Sequence, residues 1–158
     1  MPVVPQTASP SGTLRAIAIG GLLCGICDIT AAFVIYGAMG ARPIPLLQGI
    51  AAGILGRSSF LGGLATAALG LLCHFVIAFG AATVYVFASS AVPWIARRPL
   101  LAGPLYGIIV YFVMQGVVHI SRAIHRPFSL QLTLIGIAIH IVCVGTPIAL
   151  ATRRYSPH

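Results

Sequence analysis

Apolar residues fall into four long, nearly continuous stretches separated by short polar or proline-bearing breaks. The first runs from about Leu14 to Met39. It ends where Arg42-Pro43-Ile44-Pro45 removes backbone donors and restricts the residues before each proline. The second runs from about Gly63 to Ala88 and stops before Pro93-Trp94. The third, about Leu101 to Ile120, lies between Arg97-Arg98-Pro99 and Arg122, and the fourth, about Leu130 to Ala151, is closed by Arg153-Arg154-Tyr155. Each reaches the ~20 residues that a bilayer core demands. Barrel strands would alternate apolar and polar positions over about ten residues. Continuous apolar runs instead predict helices, which satisfy every backbone group within themselves. The pattern therefore predicts an all-α fold, a four-helix transmembrane bundle.

Between the first two spans lies Leu46 to Leu55, apolar but interrupted by Gln48, Gly49 and Gly53, with Gly56 following. It is too short to cross a bilayer and too apolar for an ordinary exposed loop, so it reads as a short interfacial or re-entrant helix, with a fifth genuine span the minority reading. Residues 1–13, rich in proline and serine, read as a flexible tail, and the apolar run after them exceeds a signal-peptide core, so the first span is expected to be retained. Gly21-Leu22-Leu23-Cys24-Gly25 and Gly103-Pro104-Leu105-Tyr106-Gly107 carry the small-residue spacing that lets membrane helices approach closely. Tyr36, Trp94, Tyr106 and Tyr155 fall near span ends, as in an aromatic belt.

Composition supports the same class. The 158 residues are 59% hydrophobic and only 6% charged, with a mean hydropathy of +1.05, whereas soluble domains carry about a quarter charged residues. The formal net charge of +8 comes from nine arginines that sit singly or in pairs at the ends of apolar segments, with no basic run. They read as topology and headgroup anchors, Arg97, Arg98, Arg122, Arg126, Arg153 and Arg154 in particular, and not as a nucleic-acid footprint. With the amino terminus inside, Arg15, Arg97, Arg98, Arg153 and Arg154 face the cytoplasm and Arg42, Arg57, Arg122 and Arg126 the other side. Five against four favours both termini in the cytoplasm.

Every span contributes one strongly polar group: Asp28, the chain's single acid, then His74, Gln115 and His140. Asp28 shares a helical face with Gly21, Cys24 and Gly25, His74 with Ala67, Gly70, Ala78 and Ala81, and His140 with Thr133, Gly136 and Pro147. Such small-residue faces point inward in membrane bundles. The rise per residue places Asp28, His74 and His140 each roughly 12–18 Å into a ~30 Å core, where the three can meet. Gln115 lies nearer the loop between the third and fourth spans. Two roles follow from such a cluster: interhelical hydrogen bonds that fix the bundle, or a site that accepts protons or binds a ligand.

Cys24-Gly25-Ile26-Cys27 has redox-dithiol spacing, Cys73 adjoins His74, and Cys143 lies one turn beyond His140. Metal or haem ligation through His74 and His140 is a minority expectation, because cysteine is also a common small residue of buried helices. No cofactor is otherwise implied. The run His119 to Pro127, with Arg122, His125 and Arg126, reads as an anchor for anionic headgroups. No enzyme signature is present, and one acid in total excludes two-carboxylate chemistry.

Four phrases taken together, Gly25-Ile26-Cys27-Asp28, Gln48 to Gly56, Leu69-Gly70-Leu71-Leu72-Cys73-His74-Phe75, and His140 with Val144-Gly145-Thr146-Pro147-Ile148-Ala149, resemble a family of small, functionally uncharacterised bacterial multi-pass inner-membrane proteins. The resemblance implies a bacterial inner membrane and a fixed structural role for Gln48 to Gly56. It carries no activity across. The first expectation is a structural or partner-binding membrane subunit surrounded by lipid, able to form a homo-oligomer. A proton- or cation-linked transporter or channel and a haem-binding or metal-binding redox subunit are the alternatives.

Overall fold

The computed structural model describes residues 10–123 and 128–156. Helices account for nearly all of them: α1 (Pro10–Ala38), α2 (Pro43–Leu55), a 3-10 segment (Gly56–Leu61), α3 (Gly63–Ala91), the single-turn α4 (Pro93–Arg97), α5 (Pro99–Ile120), α6 (Leu130–Ile139), a π-helical segment (His140–Gly145) and α7 (Thr146–Tyr155). Among the described residues, five stretches are long and apolar enough to cross a membrane. Four are the expected spans. The fifth, Pro43–Leu61, arises because the helix expected from Leu46 begins earlier, at Pro43, and continues through the 3-10 turn. Prolines 43 and 45 suit this start, since the first turn of a helix has no use for their missing N–H groups. The first span also starts early: residues 10–13, expected to be tail, are helical.

Side-chain neighbours give the packing. Gly20 faces Ala82, Ile148 and Ala151, and Gly25 faces Phe75 and Ala78. Gly103 meets Gly145 and Ala149, Gly107 meets His140, and Gly136 meets Tyr111. Helix α1 thus runs antiparallel to α3 and to the fourth span, and α5 antiparallel to the fourth span. The carboxyl end of α1, the start of α3, the end of α5 and the start of α6 share one end of the bundle, which carries α2. The opposite end carries α4.

The core is built mostly from small residues, Cys24, Ala78, Ala82, Ala102 and Ala149, with Val144, Ile148 and Tyr85 among them. The large apolar side chains, among them Leu72, Val76, Phe87, Ile109, Phe112, Val113 and Val142, are exposed. Soluble proteins bury such residues. Small residues inside and large apolar ones outside is the arrangement of helices packed in lipid, where association depends on close backbone approach.

Two departures from regular helix position the rest. Gly56 ends α2 at φ 64°, ψ −147°, a conformation reserved for glycine, while its N–H bonds the Ala52 carbonyl. In the fourth span, Pro147 has no N–H to donate, and its ring crowds the carbonyl four residues earlier. The preceding turn widens to π, and the Thr146 N–H and hydroxyl both bond the Ile141 carbonyl, the hydroxyl at 2.7 Å. The expected uninterrupted fourth helix is therefore α6, a π turn and α7.

Candidate functional site

The helical faces that bring Asp28 and His74 inward make them partners. His74 Nε2 lies 2.9 Å from the Gly25 carbonyl. A carbonyl only accepts, so Nε2 carries its hydrogen and donates. Nδ1 then faces Asp28 Oδ2 at 3.9 Å, beyond direct hydrogen-bond reach but close enough for strong attraction away from water. The pair is not sealed: the side chains keep 12% (His74) and 20% (Asp28) of their exposure. Beside it, Cys27 and Cys24 of α1 lie close to Cys143 of the π segment. All four cysteines are free.

His140 does not join Asp28 and His74. Its Nδ1 donates to the Gly136 carbonyl one turn back at 2.8 Å, and its ring packs edge-on against Tyr111. Gln115 Nε2 donates to the Tyr111 hydroxyl at 2.7 Å. The expected cluster of four is thus two groupings, Asp28 with His74 and Gln115 with Tyr111 and His140. Tyr111 is the bridging residue, and its place on the Gln115 stripe of α5 gave no sign of that role. Among the described residues, no three His, Cys, Asp or Glu side chains are placed to hold a metal ion. His74 and His140 each have one ring nitrogen engaged by backbone.

The second grouping borders a cavity of about 980 Å³ at the α2 end. Helix α5 touches the π segment backbone to backbone at Gly103 and Gly107, then diverges from α6 toward this end. Helix α2 covers the gap. Its Gln48, 4% exposed, donates Nε2 to the Gly63 carbonyl at 2.9 Å and to Thr66 Oγ1 at 3.3 Å, and the Arg122 N–H bonds the Gly53 carbonyl. Aromatic rings of Tyr36, Phe60, Tyr111, Phe112 and Phe128 line the space, with Gln115, His119, Ser129 and Thr133 as polar groups. Gly49 and Gly116 on its wall face open space: a methyl group added at either would meet nothing within 4 Å.

Of the expected anchors, Arg97, Arg98, Arg153 and Arg154 lie at the α4 end and Arg122 at the α2 end. Arg126 and His125 lie outside the described residues. No protein-family model matches the chain, and neither a curated protein nor a solved structure is significantly similar to it.

Proposed function

We propose that the chain is a four-span protein of a bacterial inner membrane, with α2 a re-entrant helix and both termini cytoplasmic, and that it serves as a membrane-embedded binding subunit for an amphipathic, lipid-like molecule. Both ends of α2 lie at one end of the bundle: it follows directly on α1, and its far end meets Ser121 and Arg122 just past α5. That supports four crossings instead of five. The α4 end, with Arg15, Arg97, Arg98, Arg153 and Arg154, is the cytoplasmic side.

The observation that carries the binding role is the aromatic cavity with polar groups along one wall. About 980 Å³ is at the upper end of ligand-site volumes. Rings suit an apolar body, and Gln115, His119, Ser129 and Thr133 suit a polar head. Filling the space tests the role. Gly116→Trp enters open volume, so the purified variant keeps the wild-type helicity and thermal midpoint but loses the amphiphile that native mass spectrometry detects on the wild type. Equal occupancy of the two proteins, or none on either, refutes the reading.

The Asp28–His74 pair supports a second reading, proton-coupled passage, because a carboxyl and an imidazole face each other inside the spans and keep partial exposure. In proteoliposomes, Asp28→Asn then abolishes pH-driven flux while the protein stays folded. Flux that persists in the variant removes this role.

A further inference from the structure

At the α4 end, where α3, α4, α5 and α7 converge, lies a second cavity of about 360 Å³ lined in part by Tyr85, Arg97, Pro99, Arg153 and Ser156. Tyr85 and Ser156 are each 2% exposed, yet among the described residues neither the Tyr85 hydroxyl nor Ser156 Oγ has a hydrogen-bond partner. Buried hydroxyls are ordinarily paired, because an unpaired one has given up water for nothing. Neighbouring hydroxyls are accounted for: Thr152 on the wall donates to the Ile148 carbonyl at 2.8 Å, and the Tyr106 hydroxyl, outside the cavity, donates to the Ala81 carbonyl at 2.8 Å. The Tyr85 ring is held edge-on against Tyr106.

Charge identifies the missing partner. Arg97 and Arg153 border the same space, and the chain's one acidic side chain, Asp28, faces His74 on another part of the bundle. No carboxylate side chain is left for either arginine. Pro99 brings the amino-terminal, electropositive end of the 22-residue α5 to the wall. Arg97 and Arg153 are exposed at the rim of the cavity, so a neutral ligand would satisfy the hydroxyls without drawing on either charge. An oxyanion engages the hydroxyls and the charges together. Arginine favours phosphate through paired N–H donors, and hydroxyl donors complete the remaining oxygens.

We propose that this cavity is a phosphate-binding site in which Arg97 and Arg153 supply charge and Tyr85 and Ser156 donate hydroxyl hydrogens. The group is carried either by a phospholipid head or by free phosphate, since the cavity opens at the membrane surface.

The test uses the full chain in a maltoside detergent, which contains no phosphorus, with inorganic phosphate as the probe. Phosphate raises the thermal midpoint of the wild type, and Tyr85→Phe and Arg153→Gln each weaken its apparent affinity at least tenfold. Tyr85→Phe keeps the ring and its packing, so without phosphate it is as stable as the wild type or more so, having lost an unpaired hydroxyl. With saturating phosphate the order inverts. In nanodiscs, competition of phosphatidylglycerol against inorganic phosphate identifies a lipid head as occupant. Undiminished phosphate affinity there identifies the free ion, and both results support the site. An equal response of wild type and both variants, or no response in any, overturns it and leaves water as the partner of both hydroxyls.

Discussion

The contact between α5 and the π segment makes a severe demand on sequence, and Gly145→Ala tests it. A methyl group at Gly145 would run into the Gly103 carbonyl and lie 2.6 Å from the Gly107 nitrogen and 2.8 Å from the Gly103 carbonyl carbon. All three obstacles are backbone, so no rotamer change relieves them. Ordinary contact begins near 3.4 Å, so the Gly103 carbonyl must withdraw by well over an ångström. A gap of that size forfeits about half or more of each dispersion contact along the seam. Overpacking of this kind costs about 1–3 kcal/mol; rigid obstacles place it at the upper end, and the gain in helix propensity of up to ~1 kcal/mol on replacing glycine offsets part. The net expectation is a loss of about 2 kcal/mol. Gly116→Ala is the control, because its added methyl meets nothing within 4 Å; it gains up to ~1 kcal/mol. Reversible unfolding in mixed micelles, read by circular dichroism, separates the two by roughly 3 kcal/mol if the seam is as tight as described. Gly145→Ala no less stable than Gly116→Ala would refute the backbone contact.

Other substitutions probe the polar groups. Gln48→Leu removes the two hydrogen bonds that hold α2 to the start of α3 and leaves the Gly63 carbonyl without that donor; a loss of about 1–2 kcal/mol is expected, with faster proteolysis between Arg42 and Gly62, and unchanged protease sensitivity would show that α2 is held otherwise. His74→Ala strands Asp28 in an apolar setting and destabilises by about 2–3 kcal/mol, whereas Asp28→Asn costs only ~1 kcal/mol because no charge is stranded. The double variant should fall well short of the sum of the two, and additivity in the unfolding midpoints would mean the two residues do not interact.

The spans were legible because lipid imposes length and hydropathy on anything that crosses it. The extension of α2 was not: Gly56, Ser58 and Ser59 look like loop, and they form a 3-10 turn because the Ser58 and Ser59 hydroxyls bond the Leu55 and Gly56 carbonyls. Helical phase correctly turned Asp28 and His74 toward each other. The same reasoning brought His140 to them as well, since phase gives the face of a helix but not which neighbour occupies that face. Tyr111 lies across from Gly136 and captures the His140 ring. Pro147 figures in the sequence reading only as part of the His140 face, although a proline inside a span is the signal for the wider turn found there. Cavities are spaces between elements and leave no trace in the periodicity of any one of them. Tyr85 was the one available hint, a phenol placed well inside an apolar run.

The widened turn at His140–Gly145 also sets an angular offset. A π turn accommodates one residue more than an α turn, and one residue is about 100° of rotation. Everything after Gly145 is therefore clocked by that angle relative to a straight continuation of α6. Ile148 and Ala149 meet the bundle axis, and Thr152, Arg153 and Ser156 reach the small cavity, only because of it. Shortening the turn by one residue would swing this whole face toward the acyl chains while leaving composition and length almost untouched.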